Sequence, residues 1–147
     1  MQRLNPVNPK NASGKTKELL DKVHEAFGVV PNTAKVMANS PAVLESFLAF
    51  SGAMGSAKIG PKLHNQLKLG ASETNECNYC TSILSAVTPA AGLSAEDIIA
   101  GRKGESGDKR TDAALKFADT VLANQGKVSD AQLGSVRDAG YSDGEIV

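Results

Sequence analysis

Cys77-Asn78-Tyr79-Cys80 holds the only two cysteines of a 147-residue chain, three positions apart at the expected start of a helix. On a helical turn such a pair can close a disulfide with little backbone movement, and the helix N-terminus favours a thiolate at either sulfur. Redox chemistry is therefore the first expectation, with either thiol as the nucleophile. Two blander readings use the same residues: half of a zinc site, or two unreactive thiols in a core. Zinc is the weaker, because two further ligands are needed and no His or Cys stands at finger-like spacing. No metal and no cofactor is expected. A thioredoxin fold is disfavoured because the pair does not follow a strand.

The elements that must position this pair read as helices throughout. An Asn- and Pro-rich arm, residues 1–13, precedes an amphipathic helix from Lys15 to Phe27, with Leu19, Leu20, Val23 and Phe27 at three- and four-residue spacing and Gly28 as its stop. Pro31-Asn32 opens a short segment, Thr33 to Ala38, and Ser40-Pro41 starts a helix with an apolar stripe of Val43, Leu44, Phe47, Leu48 and Met54. Gly60-Pro61 begins the helix that runs through Leu63, Leu67 and Ala71 into Ser72-Glu73-Thr74-Asn75. After the cysteines, Cys80, Ile83, Leu84 and Val87 share one face until Thr88-Pro89. Ser94 caps a short piece ended by Gly101, a polar flexible loop spans Gly104 to Asp108, and helices follow over Arg110–Asn124 and from Ser129-Asp130 through Val136. The tail from Tyr141 to Val147 has a cap and an acidic first turn, then stops where an apolar helix should begin, so truncation or a frayed end is expected. A single compact all-α domain over 1–147 is the expectation.

Bulk properties narrow the function classes. A chain of this length buries roughly 68–70% of its unfolded surface, so the cysteines are not needed as a staple. Sixteen basic and sixteen acidic residues cancel and no basic cluster with interleaved aromatics occurs, so neither nucleic acid nor an anionic membrane is an expected partner. The N-terminus lacks an apolar signal region and no run nears the roughly 18 apolar residues of a membrane span, so a cytoplasmic location is expected. Aromatics are 4% and Trp is absent, which leaves the core to Leu, Ala, Val and Ile, small enough for close helix packing.

From Leu63 to Leu84 the chain resembles the carboxymuconolactone decarboxylase and alkylhydroperoxidase D superfamily, especially its small peroxidase-related members. Leu67, Leu69, Ser72-Glu73-Thr74-Asn75 and Cys77-Asn78-Tyr79-Cys80 carry the likeness, in the form Ser-x-x-Asn-x-Cys-x-Tyr-Cys. Weaker similarity extends through Ala91–Ser94, Gly104–Ser106 and Tyr141–Asp143. The resemblance implies an all-helical fold assembled as a trimer or hexamer, and a final apolar helix after Val147. In the peroxidase branch it implies reduction of hydroperoxides by Cys77 and Cys80.

Two departures fall on the proton relay that the resemblance implies. The glutamate position, twelve before the first cysteine, is Asn65, and the histidine position, four after the second, is Leu84. Asn cannot act as a base in this pH range, and Leu84 puts apolar surface one turn from Cys80, opposing the helix terminus there. Cys77, nearer the helix start, gains more from the dipole. His64 is the available substitute, although it lies about 100° around the helix from position 65 and an ordinary surface or interface role is the plainer expectation. Glu73, one turn before Cys77, could act on the thiols through water or stand solvated. Tyr79 could donate a hydrogen bond or pack beside them, and His24 on a distant helix is expected to be bland. The leading function is a thiol-dependent hydroperoxide reductase, slow for want of the relay and reset by an external dithiol of unknown identity. The alternatives are a catalytically degenerate helical oligomer serving as a binding or scaffold protein and, further off, a lactone-type decarboxylase.

Overall fold

A computed structural model describes residues 3–147, so Met1 and Gln2 of the expected arm lie outside the described residues. Among the described residues every regular element is helical: α1 (Gly14–Phe27), α2 (Asn32–Met37), α3 (Pro41–Met54), α4 (Gly60–Thr74), α5 (Asn78–Val87), α6 (Ala95–Lys103), α7 (Lys109–Ala123), α8 (Asp130–Asp138) and α9 (Asp143–Ile146), with 3₁₀ turns at Pro9–Asn11 and Thr88–Ala91. The chain divides into two compact units, Met1–Ser56 and Ala57–Val147.

In the first unit, Leu19, Leu20 and Val23 of α1 pack with Ala34, Ala38 and Leu44. The arm is tied down by Val7 N–H donating to Lys35 O at 2.9 Å and by Asn39 Nδ2 donating to Asn5 O at 2.8 Å. Of the stripe expected on α3, only Leu44 is fully buried, while Val43 and Phe47 are exposed, as is Phe50 outside the stripe. The reason lies in the composition of α3, whose only charged residue is Glu45: apolar side chains occur all round it, so spacing alone does not select the buried face.

The second unit is built on α4, against which α5, α6 and α7 pack. Leu63, Ala114, Val136 and Tyr141 form its main cluster, joined by Leu67, Phe117, Leu133 and Ile146. The expected stop of α6 at Gly101 is corrected: the helix continues to Lys103, and Gly104, at φ +69°, is the left-handed cap. Gly101 serves close approach instead, because a Cβ there would lie 3.0 Å from Gln66 Cα and 3.1 Å from Gln66 O. The loop expected to be flexible is pinned by Asp112, whose Oδ1 accepts Ser106 N–H at 3.0 Å, and by Asp108, which caps α7. The tail is docked rather than frayed: Tyr141 is buried, its hydroxyl donates to Arg110 O at 3.0 Å, and Arg110 lies 4.0 Å from the centre of its ring and pairs with Glu145 at 2.7 Å. No described helix is long and apolar enough to cross a membrane.

Candidate functional site

The cysteines sit where α4 hands over to α5, and main-chain chemistry builds that junction. Asn75 ends α4, Glu76 adopts the left-handed conformation at φ +52°, and Cys77 follows. Glu76 N–H donates to Glu73 O at 2.8 Å and Cys77 N–H donates to Ser72 O at 2.9 Å, the paired bonds of a Schellman stop. Glycine is the usual residue at such a position; a glutamate there is strained.

Cys77 is also the N-cap of α5. Its carbonyl accepts Thr81 N–H at 3.0 Å, and its sulfur accepts Cys80 N–H at 3.3 Å. One residue is thus held at its nitrogen, its carbonyl oxygen and its sulfur. Cys80, in the first turn of α5, is joined to Cys77 by a disulfide across a Cα–Cα distance of 5.3 Å. Both cysteines are half-buried, so the bond is reachable from solvent.

The last turn of α4 is moored from two sides. Glu73 is ion-paired and hydrogen-bonded to Arg102 of α6, and Thr74 Oγ1 donates to Asp119 Oδ1 of α7 at 3.2 Å. Ser72, buried, donates its hydroxyl back to Lys68 O at 2.7 Å. The junction that presents the thiols is therefore fixed by α4, α6 and α7 together.

The other expected residues are placed less favourably for chemistry. Asn65, half-buried, donates its side-chain amide to Pro61 O of its own helix at 2.9 Å. His64 is half-buried, and burial, with Lys68 adding, pushes its imidazole below its ordinary value. Glu73 is neither free nor simply solvated, since Arg102 holds its carboxylate. Tyr79, the second residue of α5, is 42% exposed. Leu84 is half-buried one turn after Cys80, and His24 is exposed on α1 in the first unit. Among the described residues no cluster of His, Cys, Asp and Glu could hold a metal ion.

Glu76, Arg102 and Asp119 were not singled out by sequence, nor was a tertiary partner for Thr74. The glutamate carries no mark of a left-handed conformation, and the partners of Glu73 and Thr74 lie 29 and 45 positions away.

No family model matches this chain, and no curated protein does either. Among solved structures it is similar to an uncharacterized peroxidase-related protein from Silicibacter sp. TM1040, with a TM-score of 0.79 and 20% sequence identity over 97% of this chain and 74% of that one. At that identity the likeness establishes the fold: the all-helical architecture described above is one found in a peroxidase-related protein.

Proposed function

We propose that this protein is a thiol-dependent hydroperoxide reductase in which Cys77 and Cys80 cycle between dithiol and disulfide. The observation that carries the reading is the pair itself, half-buried and close enough to bond at the N-terminal end of α5. The shared fold with a peroxidase-related protein supports it, as does the sequence resemblance. In the cycle one thiolate attacks the outer oxygen of a small hydroperoxide, the O–O bond breaks, and the alkoxide or hydroxide leaves and takes a proton. The sulfenic acid so formed is attacked by the second thiol, releasing water and leaving the disulfide, which an external dithiol reduces. A homo-oligomer, trimeric or hexameric, in a cytoplasmic setting belongs to the same proposal.

Turnover is expected to be slow, because neither relay position carries a titratable group: Asn65 is committed to Pro61 and Leu84 is apolar. A positioned acid or base contributes roughly 10²–10⁴ in rate. Hydroperoxide consumption with saturating dithiol should vanish when both thiols are replaced, Cys77→Ser together with Cys80→Ser. It should rise at least about tenfold in Asn65→Glu combined with Leu84→His, and less in either single variant. Consumption that survives the loss of both thiols would sink the reading. A natural protein already as fast as the double variant would sink the relay argument alone. The same commitment of Asn65 favours a second reading, a helical binding or scaffold protein whose disulfide no longer turns over, and that reading gains if no variant consumes peroxide.

A further inference from the structure

We infer that the two thiols have fixed and unequal roles, with Cys77 as the attacking and leaving sulfur and Cys80 as the resolving thiol and the sulfur that the reductant meets. The inference deepens the peroxidase reading and rests on it only for the peroxide step. Its basis is the cap. Cys77 Sγ accepts the main-chain N–H of Cys80, the third residue into α5, at 3.3 Å. An N-cap acceptor satisfies a donor that the helix leaves orphaned, and the bond strengthens when the acceptor becomes an anion. Cys80 supplies that donor from its backbone, and its own sulfur projects from the first turn, with Leu84 one turn further on. Of the two sulfurs, Cys77 therefore carries negative charge at lower cost.

The surrounding charges do not reverse this order. Glu73, one turn before Cys77, is neutralised by Arg102, and Glu76, next to Cys77, is exposed to solvent, which screens it. Burial pushes the His64 imidazole on α4 below its ordinary value, which disfavours a positive charge there.

The consequences run in both directions of the cycle. In reduction, a thiolate of the dithiol attacks Sγ of Cys80, the S–S bond breaks, and its electron pair goes to Sγ of Cys77, the better leaving group. The dithiol is left in a mixed disulfide with Cys80. Its second thiol then attacks its own bonded sulfur, closing the oxidised dithiol and freeing Cys80, which takes up a proton. In oxidation, the Cys77 thiolate attacks the hydroperoxide, and Cys80 attacks the sulfur of the Cys77 sulfenic acid, expelling water.

The test begins with the reduced natural protein, alkylated with limiting iodoacetamide at pH 7 and mapped by mass spectrometry. Labelling of Cys77 should run at least about threefold faster than that of Cys80, its larger thiolate fraction being offset in part by the lower nucleophilicity of the more acidic thiolate. Equal labelling, or faster labelling of Cys80, overturns the assignment. The second arm treats Cys77→Ser and Cys80→Ser with hydrogen peroxide and dimedone. Both variants keep the fold, since serine is a good N-cap at position 77 and the capping N–H at position 80 belongs to the backbone. Sulfenic acid should be trapped at Cys77 of Cys80→Ser at least about tenfold faster than at Cys80 of Cys77→Ser, and the reverse order overturns the assignment. Preferred alkylation of Cys77 with no sulfenic acid in either variant upholds the division of roles and rejects the peroxidase reading.

Discussion

Among the described residues the first unit buries only aliphatic side chains between Leu19 and Leu44, whereas α4, α5 and the turn after α5 in the second unit also bury Gln66, Ser72, Thr81 and Thr88. An aliphatic core is non-directional and lowers free energy simply by excluding water. Buried hydroxyls and amides cost free energy unless each finds a partner, so a unit that concentrates them on two adjacent helices is packed for more than stability. Those two helices meet at the cysteine junction. The second unit also brings backbones into contact, as Gly101 does against Gln66. The contrast suggests that the first unit is held by bulk burial and the second by specific, less forgiving contacts.

The largest expected effect tests the first half of that contrast. Leu44, fully buried, should cost about 2–5 kcal/mol when cut to alanine, read as lost hydrogen-exchange protection of the α1–α3 amides. A loss under about 1 kcal/mol would mean that the cluster closes over the cavity and that aliphatic burial is not what holds the unit. Next is Gly101→Ala in the second unit. Its new methyl would press on the backbone of Gln66 rather than on a side chain that can turn away, so a destabilisation of about 1–3 kcal/mol is expected from thermal unfolding. A neutral result would show that α4 and α6 slide apart freely, against the picture of specific contacts.

Much of this was legible in the sequence. Helix starts at Ser40-Pro41, Gly60-Pro61, Ser94, Ser129 and Ser142 are found where cap chemistry puts them, with capping boxes at the last three. Gly28 ends α1 as expected, with its N–H donating to His24 O at 2.8 Å. What misled was a glycine used for packing. Gly101 and Gly104 look alike in sequence; only the neighbouring α4 shows that one makes room and the other turns the chain. The cysteine pair was legible from spacing, and its placement at the start of a helix followed from the pattern around it. The mooring of the junction was not, since Arg102 and Asp119 reach it through tertiary structure alone. Nor was the exposure of Phe47 and Phe50, because an apolar helix with one charge gives periodicity nothing to choose by.

Thr88 sharpens the account of polar burial. It is 1% exposed and its hydroxyl has no hydrogen-bond partner. Thr88→Val keeps the shape and removes the unpaired group, so it should stabilise by about 1 kcal/mol in denaturant unfolding. Destabilisation would instead reveal an ordered water bound to that hydroxyl, making the polar seam a satisfied network.

Acid should act locally on the second unit. Ser142 and Arg110 hydrogen-bond the Glu145 carboxylate and hold it at about 2, against its ordinary 4.5. A carboxylate lowered in the folded state contributes stability that is complete above its ordinary value and lost as pH falls toward the folded one. The docking of α9 should therefore weaken between about pH 4.5 and 2, seen as faster exchange of its amides, while Glu145→Gln should remove that pH dependence. A pH profile in Glu145→Gln matching that of the natural protein would assign the effect elsewhere.

The smallest effect concerns the residue that joins the polar helices. Glu76 at φ +52° bears the strain of a left-handed conformation, about 1–2 kcal/mol for a residue with a Cβ. Glycine removes that strain but gives the unfolded chain more freedom, an opposing effect of about 0.4–1 kcal/mol. Glu76→Gly should therefore stabilise by only about 0.5–1 kcal/mol, the difference of the two. Because the bonds that place Cys77 run from Ser72 O and from Cys80 N–H, all main-chain groups on the protein side, its alkylation rate should stay within roughly twofold of the natural protein's. A slowing beyond about tenfold would show that the glutamate side chain itself supports the thiolate. The junction would then be a chemical element of the site and not only its hinge, which would extend the polar character of the second unit to the one strained residue beside its cysteines.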